Sequence, residues 1–366
     1  MLIKDIGEQG LLRILQKFCP AEIVGDDCAV LPTNPNQSLA VTTDMLVDGV
    51  HFSDRTTGPY YAGWRAAAAN LSDLAAMGAR PLAVTVALAV SADTAVDWVE
   101  EFYRGMTACL QEYHTPIAGG DVVRSPVVTI AITAFGQVEE NRTICRSTAR
   151  SNWAIVATGF HGTSRAGLEL LLNPEFGQNL EKGDRISLIL AHQQPKPRLD
   201  VLPILWEILD AAGAMEPPLS PPLAKGGKQE SNSLSPPLSK GGPGGVNSPI
   251  AIAGMDSSDG LADAIVQVCR ASGVGANVDR TKIPIPHSLS EIVSAQKALD
   301  WALYGGEDFE LVLFLPIDRA KLLVERIGDG AAIVGITTEC ADIWLSDSSG
   351  ICPDFRLEID RGFQHF

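Results

Sequence analysis

The chain has 366 residues, 46% of them hydrophobic and 20% charged, a composition that fits a folded protein too long for one ordinary core. Its 28 Lys and Arg against 44 Asp and Glu leave a formal charge of −16, which argues against nucleic acid or an anionic membrane surface as the main partner. No apolar run approaches the roughly 18 residues of a membrane helix, and Asp5 and Glu8 stand where a signal peptide would be apolar. The seven cysteines are scattered without a C-x-x-C pair, so reduced thiols in a cytoplasmic protein are expected.

In chain order, residues 8–18 show a helical pattern. Residues 25–31 read as a Gly-Asp turn feeding a short strand, and residues 39–43 as a strand ending on Thr42, Thr43 and Asp44. Polar side chains at a strand's carboxyl end commonly face a ligand, and residues 48–52 continue that rim. The helix at 60–77 carries AAAANLSDLAAMGARP, whose Gly78 and Pro81 supply the stop. It is apolar on nearly every side, the mark of a buried helix, yet it carries Asp73 with Asn70 on the same side. A buried carboxylate is expensive unless it is paired or holds a metal, and no Lys or Arg lies between Arg65 and Arg80. An Asp that hydrogen-bonds a neighbouring loop is the plainer alternative.

A strand at 82–90, a helix at 94–114, a Gly119-Gly120-Asp121 turn and a β-branched strand at 127–138 follow, and a domain boundary falls near residue 148. The second cycle has a strand from Trp153, helices at 164–172 and 200–213, and a strand running into Asp256-Ser257-Ser258-Asp259 before a helix at 261–271. The box Gly305-Gly306-Glu307-Asp308-Phe309-Glu310 leads into a strand at 311–315, a helix at 318–327 and short strands near Ala332 and Ile343. Between them, residues 216–249 turn to Pro, Gly, Ser and Lys, and a nine-residue stretch beginning at Leu219 recurs from Leu234. Such a tract buries too little apolar surface to offset its ordering entropy and is expected to be a disordered insertion without chemistry.

Asp26-Asp27, Asp44, Asp73, Asp121, and Asp256 with Asp259 each place a carboxylate beside Gly, Ser or Thr at the end of an expected element. Gathered carboxylates repel one another, and hard cations such as Mg²⁺ relieve that repulsion, usually shared with substrate phosphates. Read singly, Asp27 and Asp121 are equally compatible with plain turns, and Asp256 or Asp259 with a helix cap. The case rests on their joint occurrence.

GDDCAVL (25–31), VTTDMLVDGVHF (41–52), NLSDLAAMGARP (70–81), GGDVVRS (119–125), MDSSDGLADAI (255–265) and WALYGGEDFELVL (301–313) resemble the motifs of thiamine-monophosphate kinases, in order and rough spacing. The resemblance covers the chain apart from 216–249, and Ser257 and Phe309 depart from the commoner residues without removing a charged ligand. It implies an α+β fold of two PurM-like domains with mixed sheets flanked by helices: 1–148, binding ATP and Mg²⁺ and forming a homodimer, and 149–366, holding the insertion. It implies transfer of the ATP γ-phosphoryl group to thiamine monophosphate, with several Mg²⁺ ions held by Asp27, Thr42, Thr43, Asp44, Asp73, Asp121, Asp256 and Asp259. ATP would meet Tyr103, Gly120, Asp121, Arg146 and Ser258, and the acceptor His51, Glu307 and Phe363. No residue is expected to act as a general base, and Asp44, Asp73, Asp121 and Arg146 are the most critical.

Each of these residues also has a plainer reading: a core aromatic for Tyr103, an interdomain ion pair for Arg146, a satisfied partly buried ring for His51, a solvated loop acid for Glu307, a docked terminal ring for Phe363. The functional alternatives are an aminoimidazole ribonucleotide synthetase-like ligase, disfavoured by the GGEDFEL box and His51, and a non-catalytic nucleotide-binding regulator, disfavoured because every motif Asp is present.

Overall fold

The computed structural model describes residues 1–20, 33–213 and 252–357; the expected strand at 28–31, Asp27, the tract at 216–249 and Phe363 lie outside them. The first helix, α1 (Ile3–Leu15), is interrupted at Gly7, whose backbone is non-helical (φ 65°, ψ 179°): a first turn, with the Leu2 N–H held by the Asp5 carboxylate and the Ile3 N–H by the Thr94 carbonyl, precedes the helical stretch that the pattern at 8–18 predicts. Then come β1 (Gln37–Val47), α2 (Pro59–Ala76), β2 (Arg80–Val90), α3 (Val96–Glu112), β3 (Ile117–Arg124) and β4 (Thr129–Glu139). The four strands form one sheet in the order β1-β4-β2-β3, antiparallel except for the parallel pair β2–β3.

Two strands of this first sheet differ from the sequence reading. The strand expected to end at Asp44 continues to Val47, so Asp44 sits inside it, because Met45 and Leu46 keep the alternation of open and buried faces going. Gly119-Gly120-Asp121 is strand rather than turn. A Cβ on Gly120 would lie 2.1 Å from the Val86 carbonyl oxygen, so glycine there lets the edge strand close onto β2.

Helices α2 and α3 cover one face of this sheet, packed so closely that a Cβ on Gly63 would lie 1.9 Å from the Phe102 carbonyl oxygen. Helix α2 is buried almost all round, as its composition demands: its far end, Ala75 and Ala76, packs into the second half of the molecule. The opposite face of the sheet has no covering element among the described residues, and Leu39, Val41, Met45 and Val123 are more than half exposed there.

The second half contains β5 (Trp153–Ala157), α4 (Thr163–Leu172), α5 (Lys182–Gln193), α6 (Val201–Gly213), β6 (Ala253–Asp256), α7 (Leu261–Ser272) and β7 (Gly275–Asp279). It continues through α8 (His287–Ser290), α9 (Ala295–Tyr304), β8 (Leu311–Pro316), α10 (Ile317–Ile327), β9 (Ala332–Thr338), β10 (Ile343–Ser346) and β11 (Phe355–Arg356). Its seven strands run β11-β10-β7-β9-β5-β8-β6. Strands β5 and β8 read as unbroken apolar runs because both faces of the sheet are covered there: α7 and α9 pack on one side, α6 and α10 on the other. Among the described residues no helix is long and apolar enough to cross a membrane.

Candidate active site

The two halves meet over a cavity of about 570 Å³ whose lining includes Asp44 of β1, Asp73 of α2, and Asp256, Ser258 and Asp259 of the β6–α7 connection. Alternation along β1 turns Thr42 and Asp44 toward α2. The Thr42 hydroxyl donates to the Asp73 carboxylate, and Asn70 accepts from the Asp44 N–H at 3.3 Å while donating to the Ala66 carbonyl at 3.0 Å. Beside Asp73, the Ser72 hydroxyl donates to Asp256 Oδ2 at 2.7 Å, so α2 ties the second half's acid to the first half's. Ser258 Oγ donates to Asp256 Oδ1 at 2.9 Å. Helix α7 starts at Gly260 with no side-chain cap, so neither Asp256 nor Asp259 serves it in that way.

The carboxylates strain against one another. Burial, with Asp256 and Asp259 nearby, pushes the Asp44 carboxyl up to about 6. Burial and Asp44 push Asp73 up to about 6 against the pull of the Thr42 hydroxyl and the Arg146 charge. Burial and Asp73 push Asp256 up to about 6 despite its hydrogen bonds from Ser72 and Ser258. Among the described residues no three His, Cys, Asp or Glu gather tightly enough to cage one ion by themselves. Oxygen-only donors, spread round a cavity and short of a full shell, fit Mg²⁺, which keeps several waters and shares its sphere with phosphates.

The structure separates the other expected ligands. Thr43 points to the open face of the first sheet, where its hydroxyl lies 2.8 Å from that of Thr133. Asp121 shares that face, beside Ala87, and accepts from the Val122 N–H at 2.9 Å. As β3 is three places from β1 in the sheet, Asp121 stands about 14 Å from the Asp44 strand at roughly 4.8 Å per step. Tyr103 is buried in the core, with the rings of Phe18 and Phe102 at 5.5 and 5.6 Å, and does not line the cavity. Arg146 donates to Gln267 of α7 at 2.6 Å, and its charge reaches Asp73.

Also on the cavity lining, His51 Nδ1 accepts from the Val47 N–H at 3.1 Å, which makes Nε2 the protonated nitrogen of the neutral ring. Glu307 and Phe309 both adopt left-handed backbone, φ 60° and 52°, and both line the cavity. Three features fix that conformation: the Glu307 N–H donates to the Ser258 carbonyl at 2.6 Å, Asp308 accepts from Gly162 N, Ser164 N and the Thr163 hydroxyl at the start of α4, and Glu310 pairs with Arg198. Asp308 is therefore a helix cap. Sequence reasoning missed Arg65, Arg165 and His192 in the lining. Arg65 was legible, being four and eight residues before Ala69 and Asp73 on one stripe of α2; His192 carries no local signal.

Residues 25–138 match the family described as AIR synthase related protein, N-terminal domain. The thiamine-monophosphate kinase of Synechococcus elongatus is 45% identical over 366 residues, covering 100% of this chain and 98% of that protein. The crystal structure of thiamine-monophosphate kinase from Stenotrophomonas maltophilia K279a superposes with a TM-score of 0.71 at 29% identity, covering 90% of this chain and 93% of the other. A structure of AaThiL complexed with AMPPCP and TMP superposes with a TM-score of 0.66 at 26% identity, covering 97% and 98%. The chain belongs to the thiamine-monophosphate kinase family.

Proposed function

We propose that this cavity transfers the γ-phosphoryl group of ATP to the phosphate of thiamine monophosphate, giving thiamine diphosphate and ADP. The observation that carries the reading is the convergence of Asp44, Asp73, Asp256 and Asp259 from three separate chain segments on one cavity, together with full-length similarity to thiamine-monophosphate kinases. AMPPCP, which stands in for ATP, and TMP occupy one structure of a relative, which supports a nucleotide and a second phosphate compound side by side.

The acceptor is a phosphate monoester, already ionised at neutral pH, so the chain needs no general base; its task is positioning and charge neutralisation. Asp44, Asp73, Asp256 and Asp259, with Thr42 and Asp27, would hold several Mg²⁺ ions. Bound there, magnesium neutralises the phosphate oxygens as charge builds on them. Ser258 and Arg146 flank the acids and fit the nucleotide phosphates, while the His51 and Glu307 side chains on the cavity lining fit the acceptor, with Phe363 as a further contact.

The open apolar sheet face with Leu39, Val41 and Met45 supports a homodimer. A second copy packed there brings two sets of Thr43 and Asp121 to the seam, and Gly120 and Asp121 would then serve nucleotide and metal between copies rather than within one. The break between the two sheets supports a domain boundary near 148. Free cysteines, including the exposed Cys340, fit a cytoplasmic setting.

The test is product formation with Mg²⁺ and ATP. Thiamine monophosphate should yield ADP and thiamine diphosphate one for one, while formylglycinamidine ribonucleotide, the acceptor of the ligase alternative, should yield neither. ADP release with the ribonucleotide alone would replace this reading with the ligase.

A further inference from the structure

Helix α2 presents Arg65, Ala69 and Asp73 to the cavity on one stripe, so the backbone positions that carry a guanidinium and a carboxylate are about 12 Å apart along a single helix axis. Asp73 marks the acid end. The Arg65 side chain is only 3% exposed, and a buried cation persists only where partners hold it. Its Nη1 donates to the His192 carbonyl at 2.5 Å and lies 3.3 Å from His192 Nδ1; its Nη2 donates to Glu307 Oε1. The Nε–H is buried without a partner among the described residues, so the guanidinium is not arranged for its own full satisfaction.

His192 Nδ1 also lies 3.2 Å from Ser164 Oγ and 3.8 Å from Glu307 Oε2. Burial, Arg65 and Arg165 push the His192 ring well below the ordinary histidine range, so it remains a neutral acceptor and does not compete for the Glu307 charge. Glu307, a third exposed and in left-handed backbone, therefore has one oxygen fixed by Arg65 while its N–H is fixed by Ser258.

Resting on the phosphoryl-transfer reading, we propose that Arg65 is a positioning residue for the acceptor: through its fork to His192 and Glu307 it aims the Glu307 carboxylate into the cavity, at a set distance from Asp73. A lysine offers a point charge and cannot span both partners as the planar fork does.

The test is steady-state kinetics of the full chain with MgATP and thiamine monophosphate for wild type, Arg65→Lys, Glu307→Gln and the double variant. Arg65→Lys should raise KM for thiamine monophosphate about tenfold and leave KM for ATP within about twofold, and the double variant should be no worse than Glu307→Gln by more than about twofold. Penalties that multiply, or equal rises in both KM values, overturn the proposal. So does an Arg65→Lys protein that fails to fold while Glu307→Gln folds, since the guanidinium would then serve the fold. If wild type does not turn over thiamine monophosphate, the reaction reading falls and the Arg65 proposal with it; turnover with multiplying penalties removes the Arg65 proposal alone.

Discussion

Ser72 donates its hydroxyl to Asp256 at 2.7 Å, joining the helix of the first sheet to the last strand of the second one residue before Asp73. This bond places acids from distant parts of the sequence on one cavity. Ser72→Ala removes a donor from a buried carboxylate and should lower stability by about 1–3 kcal/mol. Because the lost bond held the Asp256 carboxyl down, that group should titrate still higher. Urea unfolding and carboxyl NMR titration read the two effects.

The Asp73 carboxyl, pushed up to about 6 in the fold against 3.8 unfolded, binds protons more readily when folded. Its contribution is therefore fully favourable below pH 3.8 and is lost as pH rises through about 6. Asp73→Asn, which carries no charge, should leave metal-free stability nearly unchanged near pH 4 and raise it by about 3 kcal/mol at pH 7. Turnover should fall by orders of magnitude. Unfolding at the two pH values, without divalent ions, checks the sign.

Val41 is 55% exposed on the open face of the first sheet and does not line the cavity. Val41→Lys should convert a dimer into a monomer in sedimentation velocity, with the far-UV circular dichroism unchanged. Because Asp121 lies on the same face, the monomer should also lose turnover.

Gly120→Ala would drive a Cβ to 2.1 Å from the Val86 carbonyl oxygen, whereas a Cβ on Gly119 meets nothing within 4 Å. Gly120→Ala should cost about 3 kcal/mol or more by prising β3 from β2, and Gly119→Ala less than about 1 kcal/mol. Thermal unfolding of both variants reads the difference.

The buried helix with its stray Asp73 was legible because an all-apolar helix with one acid has few explanations, and Asp44, Asp256 and Asp259 followed from the same chemistry. The sides on which Thr43 and Asp121 lie were not. A glycine pair reads as a turn, and only the close approach to Val86 reveals an edge strand that carries Asp121 to the open face. Asp308 reads as one of a pair of acids with Glu307, yet one caps α4 and the other faces the cavity, a division set by alternating left-handed backbone that no local pattern announces. His192 enters the site only through the packing of α5 on α2, a long-range contact invisible in its own neighbourhood.

Calorimetric titration of ATP with Mg²⁺ into wild type and Asp73→Asn, without acceptor, measures most directly whether the converged acids hold a metal-bound nucleotide. Wild type should bind, and only when Mg²⁺ is present; Asp73→Asn should bind at least about 100-fold more weakly, about 2.7 kcal/mol. Equal affinity in the two proteins, or binding by wild type that does not need the metal, would contradict it.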